Sequence, residues 1–405
     1  MQIGYYIATR LSSNKQQSFT KTVTRLAIAA VSISVCVVLL SYGILLGFKQ
    51  EIRQKVKGYA GDISITRYQL ASGNETNYFD IDTSFMSEVN SAIGVESIFP
   101  FINKAGIIKS DSTIEGIVFK GAPSDYNFSF YNKHIVKGEV PVYSDSSISY
   151  DIMISEHVAS LMQVDTGDRL FLYFIDNNDV RRRRPKIVGI FNTGLLEFDK
   201  QFAISDIRML QQLENNYKVA AGYEIKVQDA ESLEKVHTEI SKLLDYNYAV
   251  KTLKELYPTM FQWLELVDTN VLAIIILMLL VAIINIITVL LILIIDRIPM
   301  IGVLKSLGAS SSKVMSIFKW QGLFILGGGL LLGNSLAIIL SFLQTQYKLF
   351  PLEPDTYYMD AVPFYLPIEF WVFINLGALL ICFLSTYIPV RLISRISPSQ
   401  SVNFR

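Results

Sequence analysis

Four long apolar stretches constrain the fold of this chain more than any other feature of its sequence. A helix needs about 20 mostly apolar residues to cross a hydrocarbon core about 30 Å thick, and each stretch is long enough. The stretches are Leu26–Gly47, Val271–Ile295, Gly322–Leu343 and Phe370–Val390. We therefore predict four transmembrane helices, with spans at 26–47, 268–295, 318–343 and 370–390. Only 18% of the residues are charged, against about 25% in an average soluble domain, which agrees with a chain largely embedded in a membrane.

The basic residues predict the orientation of these spans. Lysine and arginine concentrate on the cytoplasmic side of membrane proteins. Three segments are rich in basic residues and contain a single acidic residue between them: 1–25, 296–317 and 391–405. We therefore predict that both termini and the loop 296–317 are cytoplasmic. The segment 48–267 and the short loop 344–369 are then extracytoplasmic.

The segment before the first span carries an apolar cluster of its own. Ile3–Leu11 contains isoleucine, tyrosine and leucine side chains. We predict that it either forms an interfacial helix along the cytoplasmic leaflet or packs against the spans. No small-residue cleavage site follows the first span, which is therefore predicted to be an uncleaved anchor.

The large segment 48–267 has the composition and patterning of a folded domain. Alternating apolar residues predict strands at Asp62–Arg67, Ile114–Lys120, Lys186–Phe191 and Tyr223–Val227. Helical spacing predicts helices at Ser84–Ile93 and Glu231–Leu244, and polar composition predicts loops at Gln69–Tyr78 and Val142–Tyr150. Strands and helices do not alternate regularly, so we predict an α+β domain. It would have two lobes, one formed by residues 60–120 and 220–260 and the other by the insertion between them.

No catalytic or metal-binding signature is present in the sequence. The three histidines, His134, His157 and His237, lack the spacing of metal ligands. Cys36 and Cys382 both lie in apolar runs and are predicted to be packing residues rather than a disulfide. We therefore predict a protein that is not an enzyme, with no catalytic residue, metal or cofactor of its own.

Several residues admit both a structural and a functional interpretation. The run Gly327-Gly328-Gly329 with Gly333 indicates close helix packing through small residues rather than a phosphate loop, because Asn334 stands where a phosphate loop has lysine. The span residues Asn285, Asn334 and Asn375 favour hydrogen bonds between helices over a substrate path. The cluster Arg181, Arg182, Arg183 and Arg184 is either a solvated hairpin turn beside aspartates or a docking point for a partner.

The cytoplasmic loop contains the most informative short segment. Its sequence predicts a short helix that stops at Gly308, with a broad apolar face. That face is formed by Met300, Ile301, Val303, Leu304 and Leu307. Such a face needs a cover, either the membrane or a partner protein.

At this loop the chain resembles a known family. The pair Asp296-Arg297 and the pattern I-G-x-L-K-x-L-G-A at residues 301–309 are similar to permeases with the FtsX-like domain, an ABC transporter class that includes MacB-type exporters. Further segments resemble the lipoprotein-releasing branch, LolC and LolE. They are Gly43–Phe48 with Glu51, Gly189–Gly194 with Glu197-Phe-Asp199, Asp355-x-x-Tyr-Tyr-x-x-Asp360 with Val362-Pro363, and Tyr387–Arg391 with Ile396–Ser399.

The resemblance implies a type VII ABC (MacB-like) architecture in the inner membrane, with a periplasmic domain. Two permease chains would pair, and each would bind a separate LolD-like ATPase that holds ATP and Mg²⁺. The ATPase-coupling helix would comprise Met300, Ile301, Gly302, Val303, Leu304, Lys305, Leu307 and Gly308. Lipoprotein cargo would leave the outer leaflet of the membrane for a LolA-like periplasmic chaperone. The cavity of the permease that holds this cargo would be lined by Val37, Leu40, Ile44, Phe48, Leu266 and Leu272.

Two other functions are compatible with the same family. One is an exporter of drugs or peptides that works with a periplasmic adaptor, and the other is a transmission protein that controls a cell-wall hydrolase. The chain also departs from the LolC pattern, because the hairpin that holds the chaperone is longer in that family than Ile175–Pro185. Whether the chain acts as LolC, as LolE or as a homodimer is left open by the sequence.

Overall fold

The computed structural model describes residues 18–68, 78–110, 113–176, 179–229 and 232–391. The predicted Ile3–Leu11 helix, nearly all of the predicted loop Gln69–Tyr78 and the tail after Arg391 lie outside these ranges. The chain forms two compact units. The helical unit contains Met1–Gln50, Trp263–Phe350 and Val362–Arg405, and the sheet unit contains Glu51–Gln262 and Pro351–Ala361.

The helices and strands follow one another along the described chain. The helices are α1 (Ser18–Ala60), α2 (Thr83–Asn90), α3 (Ser129–Lys133), α4 (Glu156–Met162), α5 (Leu196–Gln201), α6 (Ile207–Gln211), α7 (Leu233–Leu243), α8 (Leu253–Leu256), α9 (Pro258–Asp296), α10 (Ile298–Ser306), α11 (Ser311–Tyr347), α12 (Pro354–Tyr357), α13 (Ile368–Ser385) and α14 (Tyr387–Arg391), with a 3₁₀ turn at Gln212–Glu214. The strands are β1 (Ile63–Arg67), β2 (Phe79–Asp80), β3 (Val95–Lys109), β4 (Ile114–Ala122), β5 (Ile135–Gly138), β6 (Asp151–Ser155), β7 (Phe171–Asp176), β8 (Asp179–Arg183), β9 (Lys186–Phe191), β10 (Phe202–Asp206), β11 (Val219–Ala220), β12 (Gly222–Val227) and β13 (Tyr248–Thr252).

Among the described residues, four helical segments are long and apolar enough to cross a membrane, as predicted. The helices are longer than the predicted spans, since α1 has 43 residues and α9 has 39. Their ends are polar, so hydropathy alone marks the apolar middle and misses the rest. The fourth predicted span is interrupted at Thr386. Pro389 has no N–H to donate to the carbonyl of residue 385, which explains the break.

Glycines let helices α1 and α11 approach each other closely. A Cβ atom built on Gly329 would lie 2.5 Å from Val31 Cγ1, and one on Gly333 would lie 2.7 Å from the Ser32 carbonyl oxygen. Any side chain at these positions would push the helices apart. The predicted role of this glycine run, close packing of helices, is confirmed.

Eleven strands of the described chain form one mixed sheet in the sheet unit. Its main order is β13-β1-β12-β3-β4-β10-β6-β9-β5, with β7 on β3 and β8 on β7. The pairs β4–β10 and β6–β9 are parallel and the others antiparallel. All four predicted strands and both predicted helices are present within a few residues of their predicted bounds, and Val142–Tyr150 lacks helix and extended strand. The α+β prediction is therefore confirmed.

Two hydrophobic cores can be distinguished among the described residues of the sheet unit. One contains Ile63 and Ile98 together with Ile225 and Ile240, while the other begins at Ile102 and continues through β4 to β11. The long strand β3 therefore passes from one core to the other. The two cores therefore meet within β3, and the predicted division into two lobes stays a prediction. Alternation within a strand does not reveal which core each half of the strand joins.

Candidate functional site

The helix α10 in the loop between the second and third spans is a short, well-delimited element. Arg297 is its N-terminal cap residue, and Pro299 occupies the first turn, where its missing N–H costs nothing. Leu307 is the C-terminal cap residue. Gly308 follows with a φ of +86°, the left-handed conformation that ends many helices. The predicted glycine stop is thus where the helix ends.

The apolar residues of α10 divide between two faces. Ile301 and Gly302 are buried, and Met300 and Leu304 pack partly against the core formed with Val314 and Phe318. Val303 is 57% exposed and Leu307 is 79% exposed. The broad apolar face expected from the sequence is therefore divided, with one side packed within the permease and the other side exposed.

The exposed stripe of α10 is the part available to a partner. Val303 and Leu307 are four residues apart, so their side chains lie one above the other on the helix surface. Lys305, which lies between them in the sequence, is half-buried. Two exposed apolar side chains on a helix that is held from behind can enter a shallow groove of another protein. The inward residues fix the helix and the outward residues offer the contact.

The residues predicted to line a cargo cavity lie on α1 and α9. Val37, Leu40 and Ile44 are half-buried on α1. Phe48, on the same face of α1, makes an edge-to-face contact with Trp263, with ring centroids 6.1 Å apart. On α9, Leu266 and Leu272 are largely exposed. Within the described helical unit, the predicted cavity residues of α1 are therefore partly covered. Leu266 and Leu272 are exposed to lipid or to another chain.

A different cavity, of about 380 Å³, lies between α1, α9 and α13. On α1 its lining includes Val31, Val35, Val38 and Tyr42. At 100° per residue, these positions lie opposite the predicted cavity residues of α1. The cavity depends on the packing of three helices and on the missing side chain of Gly377, which hydropathy cannot reveal.

A polar network joins the third and fourth span helices. Asn334 Nδ2 donates to Asn375 Oδ1 at 2.7 Å, and Asn375 Nδ2 donates back to Asn334 Oδ1 at 3.0 Å. Trp371 Nε1 donates to the same Asn334 oxygen at 2.5 Å. Polar side chains at this depth are costly unless paired, and here they pair with one another. The predicted interhelical role is confirmed for Asn334 and Asn375.

The four clustered arginines divide between two faces of the β7–β8 hairpin. The Arg182 and Arg184 guanidinium groups lie 4.5 and 5.1 Å from the centroid of the Phe171 ring, and both side chains are exposed. Arg181 donates to the Leu213 carbonyl, and Arg183 Nη2 donates to Gln212 Oε1 at 3.2 Å. Three of the arginines lie in strand β8, not in a turn as one interpretation expected. Arg182 and Arg184 are therefore the two exposed arginines of this hairpin.

The sheet unit also buries a charged cluster that the sequence analysis missed. Lys120 Nζ donates to Glu224 Oε2 at 2.7 Å, and both side chains are almost fully buried. Burial lowers the pKa of the neighbouring Lys226, and repulsion from the Lys120 ammonium group lowers it further. Both lysine ammonium groups lie within 6 Å of the Tyr126 ring centroid. Each of these charges falls on the buried side of a strand, a position that only the strand register reveals.

Comparison with known proteins agrees with this architecture. The family model of the MacB-like periplasmic core domain matches residues 24–243. That of the FtsX-like permease C-terminal matches residues 272–398, which include α10 and the last two spans. The first match covers more than half of the chain. The chain therefore belongs to the family of membrane permeases that carry the MacB-like periplasmic core domain.

Curated relatives resemble the chain over nearly its full length. The lipoprotein-releasing system transmembrane protein LolC of Xylella fastidiosa is 20% identical, with 97% of each chain covered. LolC of Buchnera aphidicola is 25% identical over 95% of this chain and 94% of its own. The lipoprotein-releasing system transmembrane protein LolE of Haemophilus influenzae is 20% identical, with 99% of each chain covered.

Proposed function

We propose that this chain is the permease subunit of an ABC transporter that extracts lipoproteins from the inner membrane and passes them to a periplasmic chaperone. The observation that carries the proposal is the full-length similarity to the lipoprotein-releasing proteins LolC and LolE. In those alignments both the spans and the large domain are included. The motifs at Gly189–Asp199 and Asp355–Asp360, which resemble the same branch, are part of this similarity.

In this function ATP is hydrolysed on a separate, LolD-like subunit. The exposed stripe of α10, Val303 and Leu307, would insert into a groove of that subunit, while Ile301 anchors the helix to the permease. Basic residues on the loop predict that this side of the chain is cytoplasmic, together with both termini. ATP and Mg²⁺ would bind to the ATPase subunit and not to this chain.

The cargo would be held where two permease chains face each other. Leu266 and Leu272 on α9 are exposed apolar side chains at the start of the second span, and they suit contact with acyl chains. Val37, Leu40 and Ile44 on α1 would complete the lining. The second chain is either a copy of this one or a related permease.

The chaperone would dock on the β7–β8 hairpin of the sheet unit. Arg182 and Arg184 are exposed there, and their guanidinium groups lie over the Phe171 ring. Guanidinium groups in this position can bind carboxylate or carbonyl oxygens of a partner. A LolA-like chaperone with an acidic rim is the partner that this surface would suit.

A release assay tests the proposed function. The chain is reconstituted with its ATPase in liposomes that contain a triacylated lipoprotein, and soluble chaperone is added outside. ATP should transfer lipoprotein to the soluble fraction. Replacing Arg182 and Arg184 with glutamate should reduce transfer, whereas Lys242→Glu, at an exposed position on α7 of the same unit, should not. Transfer that is absent with ATP, or equal without it, contradicts the proposal.

A further inference from the structure

Three segments that are far apart in the chain meet inside the sheet unit. They are the last turns of α1, the turn and helix at 192–199, and the loop 351–361 that connects the third and fourth span helices. The second and third contain the sequence motifs Glu197-Phe-Asp199 and Tyr357-Tyr358. No catalytic or cargo-binding role accounts for these motifs. The contacts between the three segments point to a structural role for these motifs instead.

Lys55 of α1 links two of the three segments directly. Its Nζ donates to the Tyr358 carbonyl oxygen at 2.8 Å, and only 10% of its side chain is exposed. Burial lowers the pKa of Lys55, while the carboxylates of Glu51, Asp360 and Asp199 act in the opposite direction. A buried charge is stable only with such partners, so the lysine is tied to its place.

Tyr59, one turn further along α1, binds the 192–199 segment. Its hydroxyl donates to Asp199 Oδ1 at 2.5 Å, where the Thr193 hydroxyl also donates at 2.8 Å. The Thr193 N–H donates to Asp199 Oδ2 at 3.1 Å. Burial raises the pKa of Asp199, while these donors act in the opposite direction. The carboxyl group is therefore held between α1 and the turn.

Two residues at the meeting point, Gly194 and Tyr358, have left-handed backbone conformations. Gly194 has a φ of +71°, and a Cβ atom built on it would lie 3.0 Å from Lys55 Nζ. Tyr358 has a φ of +63°, a backbone conformation that residues with a side chain rarely adopt. Burial and the neighbouring Glu197 carboxylate, which contacts the Tyr358 hydroxyl, raise the pKa of Tyr358. Strain of this kind persists where surrounding contacts hold it.

We infer that these residues form a mechanical junction in which Lys55 is the positioning residue, so that the loop between the third and fourth spans moves together with the end of α1 and the 192–199 segment. The junction consists of Lys55, Tyr59, Thr193, Asp199, Glu197 and Tyr358. Its purpose, passing motion of the spans to the extracytoplasmic domain during lipoprotein release, rests on the proposed function.

The ionic and hydrogen-bonded character of the junction suits this task. Apolar contacts are not directional and allow segments to slide, whereas a buried ammonium among carboxylates and a carbonyl fixes one geometry. Losing the Lys55 ammonium would remove both the hydrogen bond to the Tyr358 carbonyl and the 4.0 Å ion pair with Glu51. The loop 351–361 would then be free to move relative to α1 within the unit.

Spin labels test the junction without reference to cargo. Cysteines replace Thr356 in the loop and Lys200 in α5, both exposed, and the native Cys36 and Cys382 are buried and protected from labelling. The label distance is measured in the full complex, with and without an ATP analogue. We expect one narrow distribution in both states, and a broad one in Lys55→Met.

Transport measurements on the same variants complete the test. Lys55→Met should lower lipoprotein release per ATP hydrolysed about fivefold or more, the lower end of the usual coupling range, with an unchanged melting temperature. Glu197→Gln, an exposed and isosteric change, should have a smaller effect in the same direction. Lys137→Met, which removes an exposed ion pair with Asp165, should change neither quantity.

Two results would overturn the inference. One is a label distance that shifts between the two nucleotide states of the unmodified junction. The other is a Lys55→Met complex with the distance distribution and release of the parent. If the parent complex releases no lipoprotein at all, the proposed function fails, while the distance measurements still decide the junction.

Discussion

Two glycines of α1 show how single residues fix the packing of the helical unit. A Cβ atom built on Gly43 would lie 2.3 Å from the Phe364 ring, and one on Gly47 would lie 2.8 Å from the Pro363 carbonyl. The Tyr365 N–H donates to the Gly43 carbonyl at 3.0 Å. The chain that precedes the fourth span therefore lies directly on the α1 backbone. Both glycines belong to a motif whose role the sequence left unexplained.

Replacing Gly47 with alanine should destabilise the protein. The new methyl group would have to displace the backbone at Pro363, and overpacking of this kind costs about 1–3 kcal/mol. Gly377→Ala is the matched control, because nothing lies within 4 Å of a Cβ built there. Thermal unfolding in one detergent measures both. Equal melting temperatures for the two variants would refute the close approach.

Replacing Asn375 with leucine should weaken the attachment of the fourth span helix. The change removes the reciprocal amide pair with Asn334, and such bonds contribute about 0.6–2 kcal/mol in membranes. Ser335→Ala removes a hydroxyl that bonds within its own helix and should be nearly neutral. Resistance to unfolding by denaturing detergent compares the two. A leucine variant as resistant as the parent would contradict this role.

At the scale of elements, α10 is held from inside and exposed on a narrow stripe. Ile301 is fully buried in a core shared with Phe318, and Val303 and Leu307 are exposed. A charged residue at Gly302 or Leu304 would therefore disturb the permease itself. A substitution on the exposed stripe would change contact with an ATPase without disturbing the packing of α10.

Replacing Val303 with glutamate should separate the ATPase from the permease. A charge at the centre of an apolar contact costs about 2 kcal/mol or more, so affinity should fall at least about thirtyfold. Ser312→Glu adds the same charge to an exposed position outside α10 and should leave binding intact. Co-purification of the ATPase with each variant measures the effect. Equal recovery would remove α10 from the interface.

The same elements show what the sequence could predict. Apolar length gave the spans, and alternation gave strands such as Tyr223–Val227, because both patterns are local. The division of the α10 face was not predictable, because it depends on where Phe318 of the next helix packs. The Lys120–Glu224 pair and the partners of Lys55 were missed for the same reason. Lys120 and Glu224 are 104 positions apart, and Lys55 and Tyr358 are 303 positions apart.

At the scale of the whole molecule, the chain combines a membrane permease with a large α+β domain. The MacB-like and FtsX-like family matches account for these two parts. The exposed stripe of α10 is the surface that we propose for an ATPase, and α9 exposes apolar side chains along the second span. The chain is thus organised as a subunit that works through partners, and the partners define its function.

Recovery of those partners tests the central claim most directly. The chain is solubilised from its native membranes in mild detergent and isolated, and everything retained is identified by mass spectrometry. The account predicts an ABC ATPase, one or two permease species, lipoproteins and a periplasmic chaperone. An ATPase accompanied by an adaptor and an outer-membrane channel, or by a cell-wall hydrolase, would contradict lipoprotein release. Absence of any ATPase would contradict the transporter assignment as a whole.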